Sequence, residues 1–109
     1  MEVVCGVLVD SFTKKRSNTI YFLTHWHSDH YMGISNKWPY GPIYCSKTTR
    51  RLLLTKYPKL EDIAIGLPLN EFSAIDYKGQ AGKELRVKLF DSNHMAGSVM
   101  ILFEVSDVG

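Results

Sequence analysis

Cysteine is scarce: the chain of 109 residues has two, Cys5 and Cys45. Two thiols do not make a disulfide framework, and their distance in sequence from the histidines argues against a Cys-His zinc finger. Both are expected as reduced, buried thiols. No apolar run is long enough to span a bilayer, and the N-terminus lacks a charged segment followed by an apolar one, so no membrane partner is expected. There is no internal repeat and no low-complexity linker. Charge of one sign is not in large excess either: 13 Lys and Arg stand against 11 Asp and Glu, for a net charge of +2. The resulting pI near 8.5 is only mildly favourable to nucleic acid. With 45% hydrophobic and 22% charged residues, the composition is that of at most one small soluble intracellular domain, with no signal directing it to nucleus or cytoplasm.

What is present in unusual density is histidine. Three of the four histidines fall in Thr24-His25-Trp26-His27-Ser28-Asp29-His30, directly after the apolar segment Ile20-Tyr21-Phe22-Leu23. Four ligand-type side chains at H-x-H-x-D-H spacing rarely cluster for packing reasons, and neutral imidazoles with carboxylates suit zinc best, with manganese, iron or nickel as competitors. Side chains alternate in an extended chain, so His25 and His27 are expected on one side where the strand runs out, converging on one ion. Asp29 and His30 follow a bend and are expected to begin a second site. Trp26, inside the run, would either pack under the site or stack on a base; burial is the plainer expectation.

The fourth histidine, His94, lies in Phe90-Asp91-Ser92-Asn93-His94-Met95-Ala96-Gly97-Ser98-Val99-Met100. Alone it would read as a hydrogen-bonded turn residue. Beside the first cluster it becomes the remaining candidate for a three-histidine site, which needs one imidazole from elsewhere in the fold.

The rest of the chain reads mostly as strands. Val3 to Val9 is a first strand ending at Asp10, and the basic Thr13-Lys14-Lys15-Arg16-Ser17-Asn18 is a hairpin loop. Ile20 to Thr24 is a second strand, and Asp29 to Ile34 a short helix capped by Ser28 or Asp29 and ended near Gly33. Past the turn Trp38-Pro39-Tyr40-Gly41-Pro42, a strand Ile43 to Cys45 leads into a helix from about Lys47 to Tyr57, with Ser46 as N-cap. Its buried stripe is Thr49, Leu52, Leu53 and Tyr57, and Lys47, Arg50, Arg51 and Lys56 face water. Leu85, Val87 and Leu89 alternate with Arg86 and Lys88, the mark of a half-exposed strand. Val99-Met100-Ile101-Leu102-Phe103 is apolar at every position, which predicts a strand covered on both faces with neighbours on both sides. The chain cannot easily supply them all, so it reads as the N-terminal part of a larger domain. Chains ending at Gly109 are expected to associate through that strand.

Together the motifs resemble the metallo-β-lactamase superfamily, and within it the β-CASP branch of Artemis/Apollo-like DNA cross-link repair nucleases. The resemblance rests on Val9-Asp10, His25-Trp26-His27-Ser28-Asp29-His30-Tyr31-Met32-Gly33, Pro42-Ile43-Tyr44-Cys45-Ser46, and Asn93-His94 through Gly97-Ser98-Val99-Met100. The histidine motif specifies only the superfamily; the Tyr-Cys-Ser and Asn-His…Gly-Ser-Val-Met stretches point to the DNA-repair branch. Met95-Ala96 departs from the Cys-Pro usual after the third-motif histidine, which removes a fixed φ from the turn that positions His94.

The resemblance implies an α/β fold, the N-terminal part of an αββα sandwich. Residues 1–109 would form a partial domain carrying the first three motifs, without the fourth-motif aspartate that bridges two metals and without the β-CASP region. It further implies two zinc ions held by His25, His27, Asp29, His30 and His94. Asp29 is also the candidate to orient or deprotonate the attacking water. Asp10 would accept a hydrogen bond that stiffens the histidine loop, unless it is an ordinary strand-end aspartate. Two ions about 3.5–4 Å apart can hold the attacking and leaving oxygens of a phosphodiester. The expected activity is a metal-dependent DNA nuclease, a nuclear 5′-exonuclease acting on single-stranded DNA or on a free 5′ end in cross-link repair or end processing, with further domains C-terminal to these residues. Lys14-Lys15-Arg16 and Arg50-Arg51 would reach phosphates or simply be solvated. Alternatives are an RNA-processing β-CASP nuclease or another hydrolase of the superfamily, an inactive truncated or degenerate homologue, and a module fused to a DNA ligase.

Overall fold

The computed structural model describes residues 1–93 and 95–108. Its strands are β1 (Glu2–Val4), β2 (Val7–Val9), β3 (Ile20–Phe22), β4 (Ile43–Ser46), β5 (Ala64–Leu67), β6 (Phe72–Ile75), β7 (Lys83–Asp91) and β8 (Val99–Asp107), with helices α1 (Ser28–Tyr31) and α2 (Lys47–Lys56) and a 3₁₀ turn at Pro58–Leu60. They form two sheets, β1-β2-β3-β4-β5 and β6-β7-β8. In the first, β2 to β5 run parallel and β1 is an antiparallel edge; the second is antiparallel throughout.

Alternation along the parallel strands divides the core in two. Val7, Val9, Ile20, Phe22 and Tyr44 point to the second sheet, meeting Leu85, Val87, Leu89 and Val99. Leu8, Tyr21, Ile43 and Cys45 point the other way, onto Phe12, Trp38, Leu53 and Leu60. Strands of a parallel sheet buried on both faces are apolar throughout for this reason. The fold is therefore α/β, and helix, sheet and sheet supply three layers of the expected sandwich.

Several local expectations hold. Ser46 caps α2, its Oγ accepting from Thr49 N at 3.1 Å. The inward set Leu85, Val87 and Leu89 is buried along β7. Others need correction. The segment Val3 to Val9 is two strands, because the chain reverses at Cys5-Gly6: Gly6 takes φ +79°, and a Cβ there would lie 2.8 Å from Gly79 Cα. The basic loop is no hairpin. β2 and β3 are parallel, with Val7 opposite Ile20, so the loop is a crossover. Phe12 drops from it into the core, and the Tyr21 hydroxyl holds it by accepting from Arg16 N and donating to Lys14 O, at 3.0 and 2.8 Å. In α2, Leu52 is exposed rather than part of the buried stripe. Arg50 does not simply face water, donating from Nε to Ala64 O at 2.8 Å and from Nη2 to Glu61 O at 3.0 Å.

Strand β8 departs most from its sequence pattern. Val99, Ile101 and Phe103 face the first sheet, whereas Met100 and Leu102 are 59% and 48% exposed. Among the described residues its one strand neighbour is β7.

The cysteines also differ from expectation, since Cys5 is exposed and only Cys45 is buried. Burial pushes the Cys45 thiol up to about 12, and the thiolate is the reactive form. A maleimide at pH 8 is therefore expected to label Cys5 and spare Cys45 until the protein is unfolded. Equal labelling of both in the folded protein would contradict the helix-side core.

Candidate metal centre

The histidine segment begins where β3 runs out of partners. Leu23 N still donates to Tyr44 O at 2.9 Å, and the chain then bends, with α1 opening at His27, whose carbonyl accepts from His30 N at 2.8 Å and Tyr31 N at 3.2 Å. Four residues are too few to hold a helix by propensity, so the geometry of this turn depends on what it packs against and on Asp10.

Asp10 ends β2 in the left-handed region, φ +52°, which Asp tolerates better than most residues. Its Oδ1 accepts from Thr24 N at 2.9 Å. Its Oδ2 accepts from Thr24 Oγ1 at 2.6 Å and from His30 Nδ1 at 2.9 Å. A carboxylate can only accept here, so the proton on His30 sits on Nδ1 and the lone pair on Nε2. The Thr24 hydroxyl has its single proton committed to Asp10, so it accepts from His25 Nδ1, 2.9 Å away, and the lone pair of His25 likewise resides on Nε2. One carboxylate thereby sets the tautomer of two imidazoles, one directly and one through a hydroxyl. Metal-ligating histidines have this arrangement: one ring nitrogen is anchored to a carboxylate or oxygen partner and the other is presented to the ion.

The ring positions regroup the candidates. His25 and His30 are the nearest pair, with centroids 3.9 Å apart; His27 lies 6.1 Å from His25 and 6.0 Å from His30. Ligand atoms of Asp10, His25 and His30 all fall within 4.8 Å of one another, and the three residues are half-buried. With both Asp10 oxygens already accepting hydrogen bonds, the chemistry of this set fits a metal ion through its two imidazoles, which Asp10 orients. His27 and Asp29 stand outside it and are well exposed, His27 Nδ1 lying 3.8 Å from Asp29 Oδ2. His94 lies outside the described residues.

The two stretches that marked the DNA-repair branch meet beside this turn. Val99 N donates to Thr24 O at 2.9 Å, and Gly97 O accepts from Ser46 Oγ at 2.8 Å and Thr49 Oγ1 at 3.2 Å. Gly97 has φ +82°, and a Cβ on it would come within 2.9 Å of Thr49 Oγ1. Of the basic candidates, Arg16 is paired with Glu2 at 3.0 Å, and that guanidinium hydrogen bond holds the Glu2 carboxyl below its usual range. Arg50 is committed to backbone carbonyls, which leaves Lys14, Lys15 and Arg51 as exposed cations. Trp26 is half-buried against the helix-side core, in line with the plainer expectation. Thr24 carries little signal in the sequence, a hydroxyl at the strand exit immediately before the first histidine, and only the approach of Asp10 gives it a role.

No protein-family model matches the chain. Among curated proteins, it is 42% identical over 100 residues to human "DNA cross-link repair 1A protein", covering 90% of this chain and 9% of that protein. It is 37% identical over 100 residues to "5' exonuclease Apollo" of Gallus gallus, covering 90% and 20%. It is 39% identical over 100 residues to "DNA ligase 6" of Arabidopsis thaliana, covering 90% and 7%. The chain thus spans between 7% and 20% of the length of such relatives.

Proposed function

Because this chain belongs to the DNA cross-link repair branch of the β-CASP metallo-β-lactamase family, we propose that the protein carrying it is a metal-dependent DNA nuclease, a 5′-exonuclease that hydrolyses phosphodiester bonds in cross-link repair. Residues 1–109 would be the N-terminal part of its catalytic domain, with the bridging carboxylate and further domains beyond them. The observation that carries this reading is the Asp10–Thr24–His25 and Asp10–His30 network, which anchors two imidazoles by Nδ1 with their ring centres 3.9 Å apart.

We assign two zinc ions to the centre, held by His25, His27, Asp29, His30 and His94. When bound, the ions supply Lewis acidity and lower the pKa of water to roughly 7. The chain's own residues do the rest. Asp10 and Thr24 fix the ring orientations. Asp29, mostly exposed beside His27, would receive a proton from an attacking water through the carboxylate oxygen left free of the ion. The substrate is single-stranded DNA or a duplex with a free 5′ end, and the protein works in the nucleus. The similarity to a protein named DNA ligase 6 favours one second reading, in which the same centre serves as a module of a ligase.

The test is cleavage by the intact protein of 5′-phosphorylated single-stranded DNA and of RNA of the same sequence, with and without a chelator. DNA should be shortened from its 5′ end and the chelator should stop the reaction. Chelator-resistant cleavage, or a preference for RNA, would overturn the proposal. Nuclease activity in a protein that also seals nicks would favour the second reading.

A further inference from the structure

The histidine turn also carries two aromatic rings. Trp26 sits between His25 and His27, and Tyr31 follows His30. Their rings stack at 4.0 Å with an interplanar angle of 13°, so the two ends of the ligand-bearing turn are held together across its base. This pair is braced by the last turn of α2. Lys56 Nζ lies 3.3 Å from Tyr31 Oη and 4.9 Å from the centre of the Tyr31 ring. It also lies 5.5 Å from the Tyr57 ring, which meets Trp26 edge-on at 6.5 Å. Tyr57 is tied in turn to the core, its N–H donating to Leu53 O at 2.7 Å, and Leu53 is fully buried.

We propose that Trp26, Tyr31, Lys56 and Tyr57 are positioning residues: an aromatic and cationic bracket that ties the histidine turn to α2 and holds the segment bearing His25, His27 and His30, keeping His25 and His30 side by side. The reasoning is energetic. The four-residue α1 has no side-chain cap at its N-terminus and contributes no buried residue of its own, so it cannot by itself hold the turn from His27 to His30 in place. A stacked aromatic pair contributes stabilisation beyond its buried area, and a cation over an aromatic face adds to it. Trp26 packs against the helix-side core, so its effect on the imidazoles is through backbone placement. The inference rests on the metal-centre reading above and adds the device that preorganises the ligands.

The experiment uses the intact protein with Trp26→Ala, Trp26→Phe and Lys56→Met, and has two readouts. The first is zinc affinity by competition with a chromophoric chelator. The second is amide hydrogen exchange over residues 25–31 in metal-free protein, with thermal melting as a check on folding. Trp26→Ala should weaken zinc binding by about tenfold or more, the loss typical when a partner that orients a ligand is removed, and should speed exchange in the turn. Trp26→Phe keeps a ring to stack and should recover most of both. Lys56→Met alters only an exposed side chain and should give a smaller change of the same sign, which keeps the test valid if Trp26→Ala fails to fold. Unchanged affinity and unchanged exchange in a folded Trp26→Ala or Lys56→Met protein would overturn the bracket. A parent protein that binds no zinc would instead sink the metal-centre reading, and the exchange readout would still decide the bracket.

Discussion

Replacing His25 by alanine in the intact protein is expected to abolish both tight zinc binding and cleavage of DNA while leaving the fold in place. His25 is the hub of the cluster: its ring is 3.9 Å from that of His30, 6.1 Å from that of His27, and its Nδ1 is 2.9 Å from the hydroxyl that links it to Asp10. Loss of a partner that merely orients a ligand costs about 10–100-fold in affinity or activity, so loss of a ligand should exceed the upper end of that range. The residue is half-buried at the rim of the sheet and belongs to neither apolar cluster, so its truncation opens no core cavity. Thermal melting of the metal-free variant should match the parent. Asp10→Ala offers an internal comparison, since it leaves every imidazole in place but releases both tautomers, and should fall between parent and His25→Ala. Full activity in His25→Ala would mean that the cluster is not the catalyst.

The largest effect on stability is expected at Phe22. It has no exposed surface and sits in the middle of the five-stranded sheet, paired with Val9 of β2 and Tyr44 of β4. Its ring stacks on that of Tyr44 at 5.2 Å and receives the edge of Phe103 from the second sheet at 5.1 Å. Truncation to alanine removes the side chain that joins the two sheets and leaves a void between them, a change that costs roughly 3–5 kcal/mol. Against a total stability of about 5–15 kcal/mol for an ordinary domain, that is enough to unfold part of the population at ambient temperature. Leu52→Ala on the exposed side of α2 should shift the midpoint of urea denaturation far less, by about 0.5 kcal/mol at most. Equal shifts in the two variants would show that the sheets do not pack as described.

Much of this molecule was legible in its sequence because the relevant information is local. The run from His25 to His30 identifies metal-binding chemistry through residue type and spacing alone. Ser46 before a helical periodicity locates the start of α2, and the alternation of Leu85, Val87 and Leu89 locates the buried face of β7. Periodicity has limits, however. Val99 to Phe103 and Ile43 to Cys45 are equally apolar, yet β4 is buried along its length and β8 exposes Met100 and Leu102. The difference lies in what covers the faces: β4 packs through Tyr44 on one side and through Ile43 and Cys45 on the other, whereas β8 packs through Val99, Ile101 and Phe103 on one face and no core cluster of the described residues includes its other face.

Residue type, helical period and capping are properties of a few consecutive residues, and the sequence by itself determined those: the ligand types, α2, and the inward face of β7. Tertiary structure alone decided which strands pair and in which sense, since the loop after Asp10 is compatible with a hairpin until Phe12 and Tyr21 pack beneath it and bring β3 parallel to β2. It also decided the construction of the centre. Asp10 reaches Thr24 and His30 across the gap between two strand ends, and Lys56 reaches Tyr31 from another helix. Contacts between residues so far apart in sequence leave no periodic or spacing signal; they exist because packing of the two sheets and α2 brings those chain segments together.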